Sequence, residues 1–380
     1  MTLAVPEPGL GPAFVHAHSA SPRWQDGVDD CARTIAGAGI GANLGFVYVS
    51  DGFAGEFQAI VDRLRSASGV PHWVGTTGIG VCATSTEYFD QPAIVALAGA
   101  FPEGGFRLLP TVSDPSALPG TLFACGANDA NIAVLHADPS NLQLLPLIEG
   151  VSQRVSSGFV IGGLTSSRGA TPQVVDRVCA GGVSGVLLGE NVRVVTRLSQ
   201  GCAPIGPRHQ VTECHRNVIM KLDGRPALTV FDSDVGEPLA SDYRRAAGEI
   251  FAAITIRGSD TGDYLVRHLV GIDPEQRWIA IGDWIEPGSE VMFCRRDAAS
   301  AREDLIRVLT SAREMVEGVP RGGLYFSCVG RGESLFGGGS AELGLIAEHL
   351  GEFPLVGFFG NGEISHDRLY GYTGVLLLFP

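Results

Sequence analysis

Lysine is all but missing from this 380-residue chain: Lys221 stands alone, and the other basic side chains are arginines. Basic clusters are missing as well, in a chain with 41 acidic against 27 basic residues and a formal net charge of −14. A protein that grips a phosphate backbone needs a basic face, so no nucleic-acid partner is expected. Long apolar runs are absent. Ile94 to Phe101 is among the longest, far short of the ~20 residues of a membrane span, so no membrane partner is expected either. The chain start lacks the charged and apolar segments of a signal peptide, and the cysteines (31, 82, 125, 179, 202, 214, 294, 328) include no Cys-x-x-Cys pair. Disulfide frameworks belong to short secreted chains, which makes the cytoplasm the expected compartment.

Signatures of catalysis are scarce too. There is no Gly-x-Ser-x-Gly elbow, and Cys202 has only His209 and His215 as nearby bases, so no catalytic motif supports an enzyme. His16-x-His18 and Cys214-His215 lack the spacing of a zinc site, and no metal is expected. The loop CVGRGESLFGGG (Cys328 to Gly339) is not a Walker motif, because Gly-Lys-Ser/Thr is missing, and it does not match a dinucleotide fingerprint. A single His or Cys is enough to hold haem, which leaves His209, His215, His349 and His366 open as ligands.

What the chain has in plenty is glycine, 52 residues, and apolar side chains, 45%. Its length suggests two domains or two halves. VGTTGIGV (Val74 to Val81) and VGFFGNGE (Val356 to Glu363) both fit V-G-x-x-G-x-G. Each follows a strand-like run (LGFVYVSDG from Leu44, GLYFSCVGRG from Gly323), an amphipathic run and a proline (Pro71, Pro354). The expected fold is therefore mixed α/β (α+β), in two related halves, each a mixed sheet with flanking helices and antiparallel hairpins.

In order, residues 1 to 13 read as a flexible lead-in. Trp24, Val28, Cys31, Ala32 and Ile35 share a helical face that stops at Gly37. Leu44 to Ser50, a helix through Phe57, Ile60, Val61 and Leu64, and a strand from Val70 make a parallel βαβ unit. Strands follow at Ala93 to Gly99, Gly105 to Leu109 and Ile132 to His136, and a helix begins within Leu142 to Ile148. Residues 158 to 231 read as antiparallel, with one hairpin joining Val183–Leu188 to Asn191–Leu198 at Gly189-Glu190. A second joins Val218–Leu222 to Ala227–Phe231 at Asp223-Gly224. The polar stretch Val235 to Ser241 is read as the boundary between domains at 14–234 and 235–380. Beyond it come paired strands Tyr264–Val270 and Arg277–Gly282, a strand at Glu290 to Cys294, a helix at Ala301 to Glu317, and the second copy of the repeat.

The second glycine motif carries Asn361 and Glu363 where the first has Ile79 and Val81. Strand ends are where α/β sheets bind ligands, so the candidate ligand-binding residues are Cys328, Arg331, Gly332, Gly357, Gly360, Asn361, Gly362 and Glu363. In this reading the glycines admit the ligand, Asn361 and Glu363 engage an amine or hydroxyl, and Arg331 engages a carboxylate. The alternative is a tight turn that binds nothing, with a buried Cys328 and a solvated Arg331. Cys328 as a reactive thiolate is a third option.

GCAPIGPRHQVTE and NVIMKLDGRPAL (within Gly201 to Leu228), SCVGRG (Ser327 to Gly332) and PLVGFFGNGEI (Pro354 to Ile364) together resemble the FIST proteins. The series at 16 to 81 looks like the N-terminal FIST pattern, except that the family's Gly-Glu-Ile is replaced at Gly80-Val81. The resemblance implies a FIST N domain over 14–234 and a FIST C domain over 235–380. It also implies an intracellular sensory module that binds a small, amino-acid-like metabolite and signals through a partner in trans. For a subset of the family it implies haem and nitric-oxide sensing.

Overall fold

Helices form where apolar residues recur with the helical period. Trp24–Ala38 buries Val28, Cys31, Ala32 and Ile35, and Phe57–Ser68 buries Phe57, Ile60, Val61 and Leu64. Both stop at glycines in the left-handed region, Gly39 and Gly69, whose N–H groups close the last turn. The computed structural model describes residues 13–125, 128–237, 239–256 and 263–380, without side chains from 123 to 129. The lead-in therefore lies outside the described residues except for Ala13, which opens a strand, Ala13–Ser19, that pairs with Ile94–Ala100.

The chain forms two compact units, one of residues 1–199, 305–369 and 373–380, the other of 200–304 with 370–372. The stretch Val235 to Ser241 lies inside the second unit.

In the first unit the repeated motif appears three times. Each copy has two parallel strands joined by a helix, then a short hairpin, then a strand returning antiparallel to the first. Copy one uses Leu44–Ser50, helix Phe57–Ser68, His72–Gly78 and return strand Ile94–Ala100. Copy three uses Gly322–Cys328, helix Ala341–Leu350, Leu355–Gly360 and Thr373–Phe379. Between them lies a copy with no sequence signal: Asn128–Ala137, helix Leu144–Ser152, Phe159–Leu164 and Val183–Gly189.

The hairpins do not stay at home. Gly80–Ala83 of copy one pairs with Leu355–Gly360 of copy three, and Gln173–Val175 of copy two pairs with His72–Gly78 of copy one. Glu363–Ser365 of copy three pairs with Phe159–Leu164 of copy two, which closes the cycle. The inner faces of the three sheets meet in one core that includes Phe46, Tyr48, Val134, Ile161, Phe326 and Phe358. Helices cover outer faces: Trp24–Ala38 and Phe57–Ser68 over copy one, Leu144–Ser152 over copy two.

One glycine is common to all three copies for a steric reason. A Cβ at Gly75, Gly162 or Gly357 would overlap the carbonyl oxygen of Val47, Leu135 or Tyr325 on the neighbouring parallel strand.

In the second unit, the antiparallel strands His209–His215, Val218–Leu222, Trp278–Ile281, Tyr264–Asp273, Ile250–Thr255 and Glu290–Arg296 pair in that order. The last pairs back with the first, so the sheet closes. Closure leaves none of these strands as an open edge.

Two expected hairpins are corrected. Val183–Gly189 and Val195–Gln200 belong to different sheets, because Phe106–Val112 and Asn128–Ala137 already occupy both edges of the former. The Asp223-Gly224 turn is present, but its return strand is only Arg225–Pro226. Ala227–Val235 is a helix burying Ala227, Leu228, Val230 and Phe231, a helical spacing that reads as a strand when taken for a continuous apolar run.

Gly75→Ala, Gly162→Ala and Gly357→Ala should each lower stability by about 3 kcal/mol or prevent folding. Gly344→Ala, on the Ala341–Leu350 helix with open space at its Cβ, should raise it by about 0.5–1 kcal/mol. Urea unfolding measures both, and an unchanged midpoint for Gly357→Ala would refute the overlap.

Candidate functional site

Strands Gly322–Cys328 and Leu355–Gly360 run parallel and end together, Cys328 opposite Gly360. Except for Gly357, which lies within the second strand, the residues expected to bind gather at this end, but most of them face protein. Arg331 is wholly buried, and its Nε donates to Glu342 Oε1 at 2.8 Å. Arginine does engage a carboxylate here, and that carboxylate is the protein's own. Glu342, equally buried, also accepts from Tyr325 Oη at 2.6 Å, Ser327 Oγ at 3.1 Å and the Gly332 N–H at 2.8 Å.

The glycine motif serves as a seam between copies. The Asn361 N–H donates to the Leu164 carbonyl at 3.1 Å, and the Leu164 N–H donates to that of Gly362 at 2.8 Å. The Ile79 N–H donates to Ser166 Oγ at 2.8 Å, and that hydroxyl donates to the Phe359 carbonyl at 2.5 Å. Asn361 alone of the eight residues is exposed; Glu363 is fully buried. Its Oε2 accepts from the Thr373 N–H at 3.1 Å and Oγ1 at 2.8 Å, while Oε1 has no hydrogen-bond partner.

A third acid completes the cluster. Glu87, on the hairpin that copy one lends to copy three, accepts from the N–H groups of Glu342 and Leu343 at 3.1 and 3.2 Å. Its other oxygen, Oε2, is buried without a partner. Glu87 and Glu342 are 255 residues apart in the chain, so no local pattern pointed to Glu87.

Burial pushes the Glu363 carboxyl up to about 8, against the pull of Thr373, Arg331 and the neighbouring Cys328 thiol. Burial, with the charge of Glu342 added, pushes Glu87 to about 7. Burial works to lower Arg331, but Glu342 and Tyr325 outweigh it and hold the guanidinium above its ordinary value.

The second unit holds a cleft of about 410 Å³. Ile205, Val235, Leu239 and Ile250 supply its apolar wall, and Arg295, Asp234, Asp297 and Ser300 its polar groups. Asp297 accepts from the Ser300 N–H at 2.7 Å near the start of the Ala298–Met315 helix, which holds its carboxyl below the usual range. Asp234 is braced by His209, whose Nε2 lies 2.8 Å from Asp234 Oδ2 and whose Nδ1 lies 2.6 Å from Asp223 Oδ2. Burial lowers His209, but the two aspartates outweigh it and raise it overall. No sequence signal marked this cleft, because its polar groups come from two segments far apart in the chain, Asp234 and the Arg295 to Ser300 stretch.

Among the four histidines left open for haem, His209 has both ring nitrogens committed. Nδ1 of His349 lies 2.9 Å from the Leu345 carbonyl, Nδ1 of His366 2.9 Å from Asp367, and His215 is exposed. Among the described residues, no group of three His, Cys, Asp or Glu could hold a metal ion, and no helix is long and apolar enough to cross a membrane.

Residues 43–225 match the FIST N domain and residues 227–366 the FIST C domain. The chain belongs to the FIST family. FIST domains are associated with sensory and signal-transduction roles. A Mycobacterium tuberculosis protein of uncharacterized function is 34% identical to this FIST protein over 324 residues, covering 80% of this chain and 83% of its own. A Mycobacterium bovis protein, likewise uncharacterized, is 32% identical over 326 residues, covering 81% and 83%. A solved structure of cyanuric acid hydrolase from A. caulinodans aligns over 97% of this chain and 99% of its own at 11% identity and a TM-score of 0.35, too loose to carry an argument.

Glu87 and Glu363 give the FIST protein a pH signature. Their folded-state values lie above the ~4.3 of an unfolded glutamate, so the folded state binds the extra protons. The stability this brings is full below the unfolded value and is lost as pH rises through about 7 and about 8. Thermal melts should therefore show Glu363→Gln gaining on the wild type as pH rises through that window; parallel curves would overturn the assignment. Arg331→Met, which strands the Glu342 charge, should cost about 3–5 kcal/mol by urea unfolding.

Proposed function

We propose that this FIST protein is a sensor that binds a small zwitterionic metabolite of amino-acid type in the cleft of the second unit and signals through a partner protein. The observation that supports the reading is one exposed cation, Arg295, and two carboxylates, Asp234 and Asp297, around an apolar wall. A cavity of this size with few polar groups suits a small ligand. Arg295 suits its carboxylate, by a bidentate contact, and the aspartates suit its ammonium group. Ile205, Val235, Leu239 and Ile250 would read its side chain. The Cys328 to Glu363 strand end contributes less, because Arg331 is already paired with Glu342.

Calorimetry against a panel of amino acids and related metabolites tests the proposal. Arg295→Ala should weaken any binder found by about tenfold or more, and Glu363→Gln should leave it unchanged. The reverse pattern would move the site to the strand end, and a panel without a binder would remove the reading.

A further inference from the structure

Cys328 and Glu363 lie at the end of the parallel strands in the first unit, whereas the residues of the proposed ligand cleft belong to the second. We propose that Cys328 is a peroxide-reactive thiol with Glu363 as its base, its sulfur being oxidised by hydroperoxides to a sulfenic acid. Cys328 is the last residue of its strand and 8% exposed, and the next two residues, Val329 and Gly330, are half-buried. The thiol is thus one residue from the surface. Glu363 is fully buried beside it, its Oε2 held by Thr373 and its Oε1 without a hydrogen-bond donor.

An isolated buried thiol resists ionisation, because a new charge has to be created away from water. At this site the Cys328 thiol neighbours the Glu363 carboxyl and ionisation moves its proton to that carboxylate, so the net charge of the buried pair stays the same. Burial raises the Glu363 carboxyl to about 8, which makes its ionised form a stronger base than an exposed carboxylate. Arg331 acts on the same carboxyl. Cys31 and Cys82 show the contrast: both are wholly buried, and burial, reinforced by Asp30 for the first and by Glu87 and Glu342 for the second, pushes their thiols up.

The step balances. Glu363 takes the thiol proton, and the thiolate attacks one peroxide oxygen. An S–O bond forms as the O–O bond breaks, and the leaving alkoxide or hydroxide takes the proton back from Glu363. Sulfur gives up two electrons and the peroxide accepts them, leaving a sulfenic acid and an alcohol or water.

The test is to expose the full chain to hydrogen peroxide, trap sulfenic acid with dimedone, and read each cysteine by mass spectrometry across pH from about 6 to 9. Cys328 should label at least about tenfold faster than Cys31 and Cys82, with a rate that inflects near pH 8. Glu363→Gln should slow Cys328 by at least about tenfold while leaving Cys214, half-buried in the second unit, unchanged. Labelling of Cys328 as slow as that of Cys31 and Cys82 overturns the proposal, as does a Gln variant as fast as the wild type. Should the variant fail to fold, the wild-type profile decides alone: no inflection near pH 8 removes Glu363 as the base.

Discussion

Every sheet of the first unit is completed by a hairpin from another copy. A parallel pair such as His72–Gly78 on Leu44–Ser50 leaves a row of backbone donors and acceptors along its outer edge, and buried backbone groups must be paired. Gln173–Val175 pairs that edge in copy one, Glu363–Ser365 in copy two, and Gly80–Ala83 in copy three. No copy is finished by its own residues. The pairing of residues near 80 with residues near 357 makes folding of this unit depend on contacts across most of the chain, a topology of slow, late closure.

The buried charges sit where that exchange delivers them. Glu87 travels on the hairpin of copy one and receives the first N–H groups of the Ala341–Leu350 helix of copy three. A carboxyl at a helix start is favoured by the orphan donors there. The same helix carries Glu342 to Arg331, so one helix end links the borrowed hairpin to the ion pair. Glu342 and Glu363 both act on Arg331, and Glu87 feels the charge of Glu342, so the interior holds more acid than base. Its two unbalanced members, Glu87 and Glu363, are those whose proton affinity is raised. A charge surplus that reads as solubility in the composition is, at this point, proton-binding capacity inside the protein.

The elements themselves were legible. Apolar stripes at Val28–Ile35 and Phe57–Leu64 and the apolar run at Leu44–Ser50 report local periodicity, and local periodicity survives folding. Two of the three copies were legible because they share all three glycines. The middle copy escaped because Thr165 and Ser167 occupy the places of the second and third, leaving only Gly162. Nearness in sequence does not imply pairing, as the separate sheets of Val183–Gly189 and Val195–Gln200 show. Of the candidate site, all the residues but Gly357 lie together at the strand end, while the partner of Arg331 was not legible. In sequence Arg331 has the look of a free anion receptor, but Glu342 pairs with it in the fold, and the Arg295 cleft leaves no sequence signal because Ile205, Asp234 and Arg295 lie far apart in the chain.

The sequence by itself determined the mixed α/β class, the strand–helix–strand unit with its shared glycines in two of its copies, and the FIST family, since all of these rest on short-range pattern. Only the tertiary structure decided which edge each hairpin completes, that Arg331 is already paired, that Glu87 joins Glu342, and where an open cleft exists. Those outcomes depend on pairings between residues as far apart in the chain as Gly80 and Phe359, and on how much water each charge loses, neither of which any local spacing encodes.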